Sequence, residues 1–385
     1  MRTSTTGRAI VGAVAVWIAT AIALEIGLRI AYAPIGSAFD QWLGACEQAQ
    51  PPTPLHHAPR PGPAPKRLGP STAYGQLGGW EYVETYDQRG IKYSSLRPQE
   101  GTGRIVLFMG DSFIEGYDDA NTVPQRAYEW IVQHDSRSQP LIVLNAGYSS
   151  YSPVIFTVQA QRLLPVLRPD LVVVDIDETD LFDDAVRYRG LIARDERGKM
   201  VAVERDPTRQ ALVDGCARAG QSRSYLVRAI ATLWYRFRFA LLDWRERRGE
   251  RLFAVGETRA PNMSPELQMQ MRYFSSTLDE LFSTLKEYLP ADRILVVRHP
   301  HLRHLQTDHE GHPLLSRQAG ELVRAAAARN GVAFFDAQDE LAARFEGEPQ
   351  RYYWNAADMH FNFDGIRAYG ELVGREIARK LDHDG

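Results

Sequence analysis

Five short apolar runs constrain the folding of this chain more than any other feature. They are Arg104–Met109, 141–147, 171–177, Ile294–Arg298 and 332–336, each rich in Val, Ile, Leu or Phe. None shows the apolar/polar alternation of a strand with one wet face, so each reads as a strand buried on both sides. Segments with helical spacing lie between them. Residues 153–167 carry apolar side chains at that spacing. The stretch from Ser264-Pro265-Glu266 to Tyr288 opens with an N-cap serine and a first-turn proline. Residues 316–329 are Ala-rich and stop at Asn330-Gly331, and 363–381 closes the chain. Apolar strands alternating with helices predict an α/β fold, a three-layer α/β/α sandwich around a five-stranded parallel sheet. In such sheets ligands bind beyond the carboxyl ends of the strands, where Ser112, Gly147 and the 177–180 segment all fall.

The N-terminus obeys different rules. Arg2 and Arg8 precede an uncharged run over 9–24, followed by Glu25 and Arg29 at the favoured helical spacing. As a helix rising ~1.5 Å per residue, residues 9–32 reach across a hydrocarbon core of roughly 30 Å. A transmembrane signal-anchor over 9–33 is expected, with 1–8 cytoplasmic and the bulk of the chain periplasmic or extracellular, because the basic residues precede the span. A signal peptide cut at Ala31-Tyr32-Ala33 is the rival, disfavoured by the charged pair just upstream. Either route exports the chain. A net charge of −3 and the lack of a recognition motif exclude nucleic acid as an expected partner. Cys46 and Cys216 are consistent with one disulfide or with two buried thiols, and no Cys-x-x-Cys spacing suggests a metal.

Residues 34–72 are dense in proline and read as a semi-extended tether, with His56-His57 in solvent. The remaining 73–385 form the main domain, with an insertion at about 186–262. That insertion comprises a hairpin turning at Arg197-Gly198 and a basic amphipathic helix over 224–248. The helix is expected to pack on the domain with its arginines in water; a lid over the site or a contact with the membrane surface are the alternatives.

The first strand ends in Gly110-Asp111-Ser112, a strand–turn–helix setting that lifts a serine hydroxyl clear of the sheet. A serine nucleophile needs a base within hydrogen-bond reach and a carboxylate to orient that base. His360 precedes the last helix, and Asp358, two residues earlier, lies on the same side of an extended segment. The alternative for Ser112 is a simple helix cap, and for His360 a satisfied loop histidine. The acidic residues Asp175, Asp177, Glu178, Asp180, Asp183 and Asp184 fit a solvated loop better than a hard-cation site. His299, His301, His304, His309 and His312 fit surface or substrate contacts better than zinc, which requires tetrahedral convergence. No metal and no cofactor is expected.

Gly110-Asp111-Ser112, Asn145-Ala146-Gly147, the 170–184 strand and loop, and Asp358-Met359-His360-Phe361-Asn362 resemble, in order, the four blocks of the SGNH/GDSL hydrolases. The resemblance covers the chain from about residue 104 onward and implies a flavodoxin-like sheet. It implies Ser112 as nucleophile, His360 as base and Asp358 as its partner, with the Ser112 and Gly147 amides as oxyanion donors. The family's third block ends Gly-x-Asn-Asp; here Thr179 stands at the asparagine and Asp180 at the aspartate, so the usual amide donor is replaced by a shorter hydroxyl. The Asp-x-His spacing is similar to the branch of polysaccharide O-acetyl esterases and O-acetyltransferases. The implied function is a membrane-tethered esterase acting on an acyl, preferentially O-acetyl, ester of an envelope or exopolysaccharide glycan or lipid. An O-acetyltransferase with the same triad, and a non-catalytic glycan-binding or assembly module, are the alternatives. Protein partners are not implied.

Overall fold

A computed structural model describes residues 13–30, 53–67, 81–92, 103–134, 140–259, 264–302, 314–345, 347–355 and 358–382. The chain folds as two units. One comprises 1–52 and 205–251, the other 53–204 and 252–385.

In the first unit, α1 (Ala13–Ile30) is an exposed helix, long and apolar enough to cross a membrane. Glu25 and Arg29 form the expected i,i+4 pair at 2.9 Å. Glu25 also caps a second helix, α7 (Tyr225–Arg259), accepting from the Ser224 hydroxyl and from the Tyr225 and Leu226 amides at 2.8–3.1 Å. Those amides are among the donors a helix start leaves unpaired, and a carboxylate there complements the helix dipole. The basic helix expected to pack on the α/β domain therefore belongs with the N-terminal helix. Many of its anchor residues are exposed, among them Ile230, Leu233, Trp234 and Phe237. The preceding helix α6 (Pro207–Gly220) starts at an Asp206 cap and buries Cys216, which is disulfide-bonded. Cys46, the other cysteine of the chain, lies outside the described residues.

The second unit holds the sheet. Its strands are β3 (Arg104–Met109), β4 (Leu141–Asn145), β5 (Leu171–Asp175), β8 (Ile294–Arg298) and β9 (Ala333–Asp336), all parallel in the order β4-β3-β5-β8-β9. Successive residues serve opposite layers. Leu107, Met109, Val172, Val174 and Val296 pack with α4 (Pro153–Leu167), α8 (Pro265–Lys286) and α9 (Leu314–Arg329). Val106, Phe108, Val173, Leu295 and Val297 pack with α3 (Val123–His134), α10 (Gln338–Arg344) and α11 (Phe363–Asp382). This is the three-layer sandwich that the uninterrupted apolar runs predict. The hairpin forms as β6 (Ile192–Arg194) and β7 (Met200–Val203), with Gly198 at φ +80 in the turn.

The Pro-rich segment departs from the tether expected over 34–72. Residues 53–67 fold onto the second unit, and β1 (Gly62–Arg67) pairs antiparallel with β2 (Glu81–Tyr86). Pro63 and Pro65 sit two apart in β1, so both missing N–H groups fall on one edge, a position that tolerates proline. His57 is not solvated either; its Nε2 lies 2.6 Å from the Ser149 carbonyl and its ring meets Tyr148 and Tyr151. Residues 34–52 and 68–72 lie outside the described residues.

Asp184 is fully buried between the start of α4 and the middle of α8. It accepts from the Ser152 hydroxyl (2.6 Å) and the Val154 amide (3.2 Å), and lies 2.6 Å from Thr277 Oγ1. Burial pushes its carboxyl up to about 7 against those hydrogen bonds. Thr277 Oγ1 is also 2.8 Å from the Phe274 carbonyl, so one hydroxyl proton serves two acceptors unless Asp184 carries its own. At this carboxyl the native state thus binds more protons than the unfolded chain between about pH 4 and pH 7, and its contribution to stability falls as pH rises through that window. Asp184→Asn keeps the shape without the charge. It is expected to stabilise the protein by about 1–3 kcal/mol at pH 8 and to change little at pH 5, as read by urea unfolding at the two pH values.

Candidate active site

Ser112 opens α2 (Ser112–Glu115) directly after β3. Asp111 caps this short helix, its Oδ1 accepting from the Phe113 amide at 2.8 Å. Two glycines permit the close packing around it. A Cβ on Gly110 would stand 2.3 Å from Ile114, and one on Gly147 would stand 2.7 Å from the Glu115 amide nitrogen. Asn145 at the end of β4 ties these parts together, donating to the Ile114 carbonyl (2.8 Å) and accepting from the Gly147 amide (2.9 Å). Glu115, buried, accepts from Tyr86 Oη (2.7 Å) and the Ser149 amide (2.9 Å).

His360 arrives from the other end of the chain on β11 (Asp358–Phe361), paired with β10 (Tyr353–Asn355). Asn362 caps α11, accepting from the Asp364 and Gly365 amides, while its own amide donates to the Tyr352 carbonyl. Tyr117 Oη donates to the Phe361 carbonyl at 3.0 Å and receives the Trp354 indole N–H. These bonds fix the strand against α2. The result is a hydrogen bond of 2.7 Å between Ser112 Oγ and His360 Nε2, across 248 residues of sequence. Phe113 packs on His360, with ring centroids 5.0 Å apart and planes at 27°. Both members are half-buried, at the carboxyl edge of the sheet. A serine hydroxyl within reach of an imidazole can pass its proton to that base as Oγ attacks an electrophilic carbon.

Asp358 lies two residues before His360 on β11, and its side chain lies outside the described residues. Gly147 packs against α2, its amide bonded to Asn145. Thr179 and Asp180 open the short helix α5 (Thr179–Phe182) in a turn closed on Asp177. The Thr179 amide and hydroxyl each donate to Asp177 Oδ1 at 2.7 Å, and Asp180 Oδ2 accepts from the Asp177 amide. A Thr179 hydroxyl committed to Asp177 is a poor substitute for an asparagine amide aimed at an oxyanion.

Beside this dyad lies a buried polar cluster in place of the expected solvated loop and surface histidines. Asp175, Asp177, Glu178, Asp180, His299 and His301 are each 3% exposed or less. His299 Nδ1 lies 3.0 Å from Asp175 Oδ2, and Asp177 Oδ2 lies 2.6 Å from His301 Nε2. Burial alone would push the His299 imidazole down, but the Asp175 and Asp177 carboxylates hold it up at about 10. Burial and the neighbouring Asp177 push Asp180 well above the usual carboxylate range. Burial, with Asp177 again adding repulsion, raises Asp111 to about 7. The sequence signal for this cluster is Asp-x-Asp after one strand and His-x-His after another. It gains meaning only when β5 and β8 are known to be neighbours. His304, His309 and His312 lie outside the described residues.

No family model matches the chain, and no curated protein does. Among solved structures it is similar to Axe2, an acetylxylan esterase from Geobacillus stearothermophilus (13% identity, TM-score 0.42, 73% of this chain and 95% of that one). It is also similar to a lipase/acylhydrolase from Enterococcus faecalis (12%, 0.37, 71% and 95%). A third is LAE5, an α/β hydrolase enzyme from the metagenome of Lake Arreo, Spain (13%, 0.42, 71% and 95%). Likeness at this level carries no argument about activity.

Proposed function

We propose that this chain is a serine ester hydrolase in which Ser112 and His360 carry the reaction. The observation behind this reading is the 2.7 Å contact between Ser112 Oγ and His360 Nε2 at the carboxyl edge of a parallel sheet. Ser112 Oγ attacks the ester carbonyl carbon as its proton passes to His360 Nε2. The imidazolium then gives that proton to the leaving alcohol, and an acyl-Ser112 ester remains. Water, deprotonated by His360, releases the acid and restores the serine. Asp358, two residues upstream on the same strand, is the group proposed to hold the imidazole. The amides of Ser112 and Gly147 are the proposed oxyanion donors, with the Asn145 carboxamide oxygen competing for the second.

The substrate class proposed is an O-acetyl ester of an envelope or exopolysaccharide glycan. Support comes from the Asp-x-His spacing and from the apolar helix α1, proposed to tether the enzyme outside the cytoplasm. The test uses the full-length protein in detergent, a fluorophosphonate probe and an acetylated polysaccharide. The expected result is a probe adduct on the peptide containing Ser112 and release of free acetate. Movement of acetyl groups onto an added glycan, with little free acetate, would replace hydrolysis by transfer. Folded protein that neither labels nor releases acetate would overturn the enzyme reading in favour of a glycan-binding module.

A further inference from the structure

We propose that Asp177, His299 and His301 bind a divalent first-row transition metal ion, with zinc as the ion to test. The three residues leave the carboxyl ends of neighbouring parallel strands. Asp175 in β5 pairs with Val297 in β8, so two residues further Asp177 comes beside His299. Asp177 Oδ2 lies 2.6 Å from His301 Nε2 and 3.3 Å from His299 Nε2. One donor atom from each of the three residues lies within 4.8 Å of the other two. Donors around tetrahedral zinc, each about 2.0–2.1 Å from the ion, stand roughly 3.3 Å from one another. An ion therefore fits with a small opening of the Asp177–His301 contact.

The surroundings are those of a built site. His299 Nε2 is buried and makes no hydrogen bond, although it faces Asp177. Its Nδ1 is engaged instead by Asp175, a carboxylate that also accepts from Tyr369 Oη at 3.2 Å. His301 likewise turns Nε2 toward Asp177, with Nδ1 3.6 Å from Glu178 Oε1, near that carboxylate but beyond hydrogen-bond reach. Asp177 Oδ1 is held by the Thr179 amide and hydroxyl, which leaves Oδ2 for the ion. Each candidate ligand thus turns one atom to a common point, and Asp177 Oδ1 and His299 Nδ1 are also held by neighbours. That is the outer-shell arrangement that fixes histidine ligands to a metal. Two imidazoles out of three donors favour zinc and its first-row neighbours over calcium or magnesium, which take oxygen. A bound ion would tie the loop after β5 to the loop after β8. The Phe113 ring, 3.7 Å from His299 and 5.0 Å from His360, would carry that rigidity toward the dyad.

The test uses full-length protein stripped with a chelator and titrated with Zn2+, followed by metal content after dialysis and by thermal unfolding. One zinc retained per chain is expected, with a rise in Tm that Ca2+ does not reproduce. Asp177→Asn and His301→Gln should abolish retention, and Asp175→Asn should weaken zinc affinity by about 10–100-fold through the outer shell. Near-UV circular dichroism checks that each variant is folded, and Asp175→Asn keeps the test decisive if a ligand variant is not. The proposal is overturned if stripped wild type retains no stoichiometric zinc. It is equally overturned if folded Asp177→Asn and His301→Gln retain it as wild type does, which would place the ion on other histidines.

Discussion

Ser112→Ala is expected to lower kcat for ester hydrolysis by about 10^4–10^6-fold while leaving the fold unchanged. The hydroxyl is half-buried at the start of α2 and bonds to the half-buried His360, so its removal leaves no fully buried polar atom stranded. The cap of α2 is supplied by Asp111, so the helix start survives the substitution. His360→Ala should cost a comparable factor, because a serine hydroxyl without a base is a weak nucleophile at neutral pH. The double variant should be scarcely worse than either single one, since the two groups act in one proton transfer. Steady-state kinetics on p-nitrophenyl acetate for the three variants checks all of this. Additive losses, or a His360→Ala enzyme within tenfold of wild type, would mean that Ser112 has another base or is not the nucleophile.

The layers of the fold were legible because the sheet is covered on both faces, fully over β5 and β8 and partly over the edge strands β4 and β9, which leaves apolar runs in the sequence. The order of the strands was not. Apolar runs look alike, and nothing local says that β5 lies beside β8, which is what makes Asp-x-Asp and His-x-His one cluster. Ser112 and His360 could be paired on paper because each sits in its own short motif at an element boundary. Helix α6 escaped notice although Asp206-Pro207 signals its start, because only Gly215 and Cys216 are buried and no apolar stripe marks the rest. Proline density misled over residues 53–67, since an edge strand needs only half of its N–H groups. The capping of α7 by Glu25 links residues about 200 apart, and no local pattern encodes it.

Lys92→Met is the stability change with the largest expected effect, and it shows how the site is braced from outside the sheet. Lys92 is 2% exposed, a burial that lysine seldom accepts without partners. Its Nζ donates to the Glu115 carbonyl at 3.0 Å, to the Tyr117 carbonyl, and to Glu84 Oε1 at 3.3 Å. Its backbone amide donates to the Asn145 carbonyl at 2.8 Å. One ammonium therefore joins β2, the end of α2 and the turn that follows, while the backbone joins β4. Methionine fills the same volume but removes the Lys92 cation from the buried Glu84 carboxylate and a donor from the Glu115 and Tyr117 carbonyls. Breaking a buried pair from one side costs about 3–5 kcal/mol, and the stranded charge supplies most of it. Glu84→Gln in the Lys92→Met background should therefore recover part of the loss, which urea unfolding of the two single variants and the double variant would measure. A loss under about 1 kcal/mol for Lys92→Met would mean that water reaches Glu84 and the pair behaves as a surface one. Since α2 carries Ser112, esterase activity should fall with the same variant well below its unfolding midpoint.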